Sequence, residues 1–170
     1  NIVPELFTSF ANEVLGITDD TTFVIRKEVS TTNGKGRLDL LAESSESVIV
    51  IENKINSGLN GIDKHNQLSQ LTTYIEYVEN EILKGRKGYY FIFEPNYNDI
   101  DIAIFDKKRG TDFKKIQYSK IYEFFAAHLI ELQVTSLGQY AEDFIDALHM
   151  HTLMMKDIVE QRFTEAILNT

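Results

Sequence analysis

Two hydrophobic periods run along this chain, and the switches between them mark out its elements. Leu6, Phe10 and Val14 lie four apart within residues 5–15 and predict a first helix. From Thr21 to Val29 the period shortens, and β-branched and aromatic residues predict a strand. Ser30 to Gly36 is turn chemistry, with Asn33-Gly34 suited to the positive φ of a hairpin. Arg37 to Ala42 reads as a second strand, Glu43 to Ser47 as a polar turn, and Val48 to Ile55 as a third strand. Three strands joined by short polar turns predict an antiparallel meander.

The helical period then returns. After a loop over residues 56–66, Leu68, Leu71, Ile75, Val78 and Ile82 form one stripe of a helix over Gln67 to Leu83. Gly85 to Gly88 closes that helix with basic residues near its C-terminal end. Tyr89 to Glu94 is almost wholly apolar, as in a central strand, and Pro95 stops it. Residues 96–112 read as a loop with a short strand at Ile102 to Phe105. Phe113 to Tyr118 is expected as an edge strand. Ser119 is expected to cap a helix to about Leu132, and Ser136 another reaching about Asn169. The pattern predicts one α/β domain over residues 1–170, with a core of about 5–130 in the order αβββαβ. Its sheet is mixed and mainly antiparallel, with helices on both faces and a helical C-terminal extension over about 131–170.

Composition narrows the chemistry. No Cys is present among the 170 residues, which removes disulfides, zinc–thiolate sites and a thiol nucleophile. No apolar run reaches the length of a membrane span, and no signal-peptide pattern is visible, so a cytoplasmic setting is expected. The net charge of −9 speaks against non-specific nucleic-acid binding by the chain as a whole. That charge is uneven: residues 31–120 carry 13 basic and 13 acidic groups, whereas residues 121–170 carry 2 and 8. An acidic patch and a polyanion groove can therefore coexist.

The informative residues lie on the second and third strands. Side chains alternate along a strand, so Val48, Val50, Glu52 and Lys54 share one face. Arg37, Asp39 and Leu41 share a face of the second strand, with Leu38 and Leu40 opposite. Pairing across the Glu43–Ser47 turn brings Asp39 close to Glu52 and Lys54. Two carboxylates without a cation repel one another, and a divalent ion relieves that repulsion. Mg²⁺ takes hard oxygen ligands, usually one or two carboxylates with waters and substrate phosphate oxygens. Asp39, Glu52 and the backbone carbonyl of Asn53 are candidate ligands, and Lys54 is placed to orient a water or hold a phosphate oxygen. An E-x-K pair on a strand also reads as a plain cross-strand ion pair, a structural alternative that stays open here.

GRLDLL (Gly36 to Leu41), IENKI (Ile51 to Ile55) and QLTTY (Gln70 to Tyr74) together resemble the PD-(D/E)xK nuclease superfamily. The likeness is greatest to the branch reading G-R-x-D, I-E-N-K-I and Q-L-x-x-Y. It covers roughly residues 22–94 and extends weakly to IQYSKIYEFF (Ile116 to Phe125). The resemblance implies a restriction-endonuclease-like fold and Mg²⁺-dependent hydrolysis of DNA phosphodiesters, as an endonuclease, with Mn²⁺ as the alternative cofactor and the choice between DNA and RNA left open. It implies that Asp39 and Glu52 bind the metal, that Lys54 is the catalytic lysine and that Gln70 supports the site. The alternative it carries is an inactive nuclease-fold module for nucleic-acid binding or protein assembly. Members often add an acid from the first helix. Glu5 and Glu13 match no motif for it, Glu28 is a further candidate, and the family's position falls upstream of Asn1.

Other signals are weaker. Gln67, Gln70 and Tyr74 fall at helical intervals beside the leucine stripe and face the sheet edge. Lys35, Arg37, Lys64 and His65 fall near the proposed site and suit a polyanion. Lys107-Lys108-Arg109 and Lys114-Lys115 read better as a solvated loop, because acids are interspersed among them. His149 and His151 are two apart on a helix and do not pair as ligands. The long final helix has an apolar stripe that could serve a homodimer.

Overall fold

The computed structural model describes residues 2–18, 22–32, 36–54, 70–98, 101–106, 108–133 and 138–152. Two compact units divide the chain. The first, residues 1–93 with 100–116, holds the sheet. Helix α1 (Ile2–Glu13) precedes β1 (Val24–Ser30), β2 (Arg37–Glu43) and β3 (Ser47–Asn53). Helix α2 (Gln70–Tyr77) continues as a π turn over Val78–Ile82 and leads to β4 (Lys87–Glu94). A single-turn helix, α3 (Ile102–Phe105), and a 3₁₀ turn (Gly110–Asp112) precede β5 (Phe113–Gln117).

The five strands lie in the order β1-β2-β3-β4-β5. β1 with β2 and β2 with β3 are antiparallel, whereas β3 with β4 is parallel, so the sheet is mixed. Strand alternation assigns its two faces. Val48 and Val50 of β3 and Tyr90 and Ile92 of β4 join Leu71, Tyr74 and Ile75 of α2, and Val78 of the π turn, in one core. On the other face, the Phe10 ring of α1 meets Phe93 of β4 edge-on, with centroids 6.0 Å apart. Helices thus flank both faces, which fits a restriction-endonuclease-like α/β fold. β3 is buried along both faces until Asn53, as its run of β-branched residues requires.

Several local expectations change. Ile102–Phe105 forms a helical turn, not a strand, because the Asp101 carboxylate accepts the Ala103 N–H and starts a helix there. Leu38 joins the same core as Leu41, three residues away, which strict alternation forbids. On the neighbouring strand Glu28, between the pairs Lys27–Leu40 and Val29–Leu38, adopts a φ of 53° without shifting the register. The helix expected from Gln67 is seen from Gln70. Residues 55–69, including Ile55, Lys64, His65 and Gln67, lie outside the described ones, as do Lys35 and Lys107.

The second unit, residues 94–99 with 117–170, is helical: α4 (Tyr118–Ala127), α5 (Leu129–Gln133) and α6 (Gly138–Thr152). The single helix expected from Ser119 is divided at His128, whose ring nitrogen reaches the Phe124 carbonyl at 2.8 Å and stacks on the Phe124 ring. Ser119 is no cap, since α4 starts at Tyr118. Its own N–H, one of the four donors a helix start leaves unpaired, is taken by the Asn96 side chain at 3.0 Å. His149 and His151 pack on aromatic rings, Tyr122 for the first and Tyr97 and Tyr118 for the second. α6 buries Ile145 and Leu148 and leaves Tyr140, Phe144 and Met150 exposed. Ser136 lies outside the described residues. Among those residues no helix is long and apolar enough to cross a membrane.

Candidate active site

The register of β2 and β3 sets the first two acids. Leu40 pairs with Ile51, so one step further Asp39 stands across from Glu52. The parallel register puts Glu52 beside Ile92, on the face that α2 covers. Its carboxyl therefore extends a row of buried valines, and only 3% of the residue is exposed. Lys54 is buried to the same extent, just past the strand end, and its backbone N–H donates to the Phe93 carbonyl at 2.8 Å.

These buried charges meet. The Lys54 ammonium Nζ lies 2.7 Å from Glu52 Oε1. Gln70, at the start of α2, closes the triangle: its Nε2 donates to Glu52 Oε1 at 3.0 Å, and its Oε1 accepts from Lys54 Nζ at 3.2 Å. The second Nε2 proton goes to the Tyr74 hydroxyl at 2.6 Å, which itself donates to the Arg37 carbonyl at 2.7 Å. Donors and acceptors match throughout, which fixes the orientation of the Gln70 amide.

Asp39 enters differently. Its Oδ2 accepts the Asn53 backbone N–H at 2.8 Å, tying the diverging ends of β2 and β3 together. The N–H and C=O of an extended residue leave the strand on the same side. The Asn53 carbonyl therefore also faces the Asp39 side rather than β4. Burial pushes the Glu52 carboxyl above its ordinary range; the Lys54 hydrogen bond and charge pull it back, and the Asp39 charge raises it again. Burial likewise raises Tyr74, helped by the Glu52 charge and opposed by its hydrogen bond from Gln70.

One atom of this network is left over. Glu52 Oε2 is buried and has no hydrogen-bond partner. A carboxylate oxygen shut away from water without a donor is costly. An oxygen-preferring cation at that point, beside a second carboxylate, would satisfy it. Among the described residues no cluster of three or more His, Asp or Glu forms around it. Glu5 and Glu13 are exposed on α1, and Glu28 forms a 3.7 Å ion pair with Arg37.

Of the residues singled out in the sequence, Glu52, Lys54 and Gln70 are in direct contact and Asp39 adjoins them. Lys108 and Arg109 are not a free phosphate track, because they pair with Glu76 at 3.0 Å and with Glu79 at 2.6 Å. Tyr74, whose four-residue spacing from Gln70 places it beside the site in the sequence, is the hinge of the network. One contribution escaped the sequence reading. Gly36 is more than a turn residue: a Cβ there would lie 2.6 Å from Cε1 of Tyr74.

A family model described as the PD-(D/E)XK nuclease superfamily matches residues 4–145. No curated protein and no solved structure matches the chain. The match spans most of the sequence, and the chain belongs to the PD-(D/E)XK nuclease superfamily, whose nucleases generally use divalent metal ions.

Proposed function

We propose that this member of the PD-(D/E)XK nuclease superfamily is an endonuclease that hydrolyses DNA phosphodiesters with Mg²⁺ held by Asp39, Glu52 and the Asn53 carbonyl. The observation that carries the reading is Glu52 Oε2, a buried carboxylate oxygen with no donor, next to the Asp39 charge and the Lys54 ammonium. A bound divalent ion supplies a polarised water and charge neutralisation at the phosphorus.

The chain's own groups do the rest. Lys54 has three N–H donors, of which Glu52 and Gln70 orient two, leaving the third for a phosphate oxygen or the attacking water. Held in a buried site, that ammonium stabilises negative charge better than it would in water. Gln70 keeps it in place, and Tyr74 keeps Gln70 in place. Asp39, anchored to the Asn53 N–H, keeps a fixed distance from Glu52.

The test is plasmid cleavage with Mg²⁺, repeated with Mn²⁺ and after chelation. Wild type is expected to nick or linearise plasmid, and chelation to stop it. Lys54→Ala is expected to lower the rate at least about 100-fold with the fold intact by circular dichroism. Equal cleavage by Lys54→Ala overturns the mechanism. Metal-independent DNA binding without cleavage supports the inactive binding module instead. Parallel assays on single-stranded DNA and RNA set the substrate class.

A further inference from the structure

We propose that Asp106 is a positioning residue for the Gln70 amide, acting through the first turn of α2; for its effect on catalysis this rests on the nuclease reading above. Asp106 is 4% exposed and stands outside the Glu52–Lys54–Gln70 network. Its Oδ2 accepts the Thr72 N–H at 2.9 Å and the Thr72 hydroxyl at 2.6 Å. Its Oδ1 accepts the N–H groups of Lys108 at 3.0 Å and Arg109 at 2.9 Å. Four donors converge on one carboxylate, which offsets the cost of burying it.

The surrounding chain is shaped to deliver that carboxylate. The Asp106 N–H donates to the Ile102 carbonyl at 2.8 Å, closing the turn of α3, and the Gly110 N–H returns to the Asp106 carbonyl at 3.1 Å. The return is tight: a Cβ on Gly110 would lie 2.9 Å from the Ile102 carbonyl oxygen. Beyond it, Lys108 pairs with Glu76 and Arg109 with Glu79. The loop therefore grips α2 and its π turn at positions 72, 76 and 79, four and three residues apart, along one side of the helix. Gln70 and Tyr74 lie on the side facing the buried acids.

Position gives the contact its consequence. Gln70, on the first described turn of α2, must meet Lys54, Glu52 and Tyr74 together. Thr72, two residues on, is where an outside carboxylate can hold that turn without touching the site. Displacements near 1 Å at a reacting site lower rates by as much as about 100-fold. Asp106 thus sets the geometry of Gln70, and through it that of the Lys54 ammonium.

The test uses the full chain and two readouts. The first needs no turnover: solvent exchange of the Gln70 side-chain amide protons by NMR, assigned by their loss in Gln70→Ala. Asp106→Asn keeps one acceptor oxygen and presents an NH₂ to the remaining donors. It is expected to speed that exchange at least about 10-fold while β3 backbone amides stay protected. If Asp106→Asn does not fold, Thr72→Val removes only the hydroxyl contact and is expected to act in the same direction, with Thr72→Ser restoring protection. The second readout is metal-dependent cleavage in a double-mutant cycle. Asp106→Asn is expected to lower kcat between about 10- and 100-fold in the wild-type background, with little further loss in Gln70→Ala. Unchanged Gln70 exchange in a folded Asp106→Asn or Thr72→Val chain overturns the proposal, as does an equal loss of rate with and without Gln70. Absence of cleavage in wild type refutes the nuclease reading alone, because the exchange measurement still decides the positioning role.

Discussion

Gly36→Ala is the smallest change that should disturb the whole network. The new methyl would lie 2.6 Å from Cε1 of Tyr74, where ordinary carbon contacts need about 3.5 Å or more. The Tyr74 ring cannot easily yield. It is 1% exposed, packed in the core under α2, and held through its hydroxyl to the Arg37 carbonyl at 2.7 Å. A retreat of about 1 Å takes that bond beyond hydrogen-bonding distance. Overpacking a tight interior costs about 1–3 kcal/mol, and a lost hydrogen bond costs about 1 kcal/mol more. The stiffer unfolded chain returns only about 0.5 kcal/mol. A net destabilisation of about 2–3 kcal/mol is expected, with a fall in Tm on the order of 5–10 °C for a chain of this size. Urea denaturation measures it, and the control is Tyr74→Leu, which lacks Cε1. In that background Gly36→Ala should cost less than about 1 kcal/mol, a coupling typical of residues in direct contact. Strictly additive costs would refute the steric argument and return Gly36 to an ordinary turn role.

Three further outcomes can be checked. Burial tends to raise the Glu43 carboxyl, but the Arg86 and Arg26 guanidiniums outweigh it and hold it below its ordinary value of 4.5. A lowered folded pKa contributes stability above that value and loses it as pH falls through the folded pKa. Glu43→Gln should therefore be less stable by about 1–3 kcal/mol at neutral pH, with the gap closing below pH 4.5; a pH-independent gap refutes it. Glu52 has the opposite sign. Its folded carboxyl keeps a proton above 4.5, and its contribution to stability falls as pH rises through the folded pKa. Mn²⁺ binding just above pH 4.5 should therefore release a proton, seen by calorimetry in buffers of different ionisation enthalpy and absent in Glu52→Gln. Tyr74→Phe removes a donor to Arg37 and an acceptor for Gln70, and should lower stability by about 1–2 kcal/mol and cleavage more strongly than its fold.

The antiparallel pairing of β1, β2 and β3 was legible because its signals were redundant. Four β-branched residues from Val48 to Ile51, short polar turns and the Asn33-Gly34 pair all point to the same meander. Once Leu40 meets Ile51, the meeting of Asp39 and Glu52 follows from the two-residue repeat. Legibility failed where a distant group decided the outcome. Four apolar residues from Ile102 to Phe105 carry too little periodicity to choose between strand and helix, and the Asp101 carboxylate chose. Ser119 has a capping side chain, yet Asn96, 23 residues earlier, supplies the bond. Asp106 looked like one more acid in a mixed-charge loop, since nothing local announces that a carboxylate will meet Thr72, 34 positions earlier.

Stability by itself offers little reason for a charged pair at the end of β3. Val48 and Val50 show that this face accepts aliphatic side chains, and buried ion pairs can be replaced by apolar residues with little loss or with a gain. Instead the chain places there a carboxylate whose raised pKa and partnerless oxygen both register the cost. Three separate features then secure the single amide that touches both members of the pair. The absent side chain of Gly36 admits the Tyr74 ring, the Tyr74 hydroxyl fixes one Gln70 proton, and Asp106 holds the helical turn from which Gln70 projects. They come from the approach to β2, from the body of α2 and from the loop before β5, so proximity in sequence does not explain their convergence. A fold that departs from its most stable packing at one point, and commits distant residues to maintaining the departure, is what the proposed nuclease site requires.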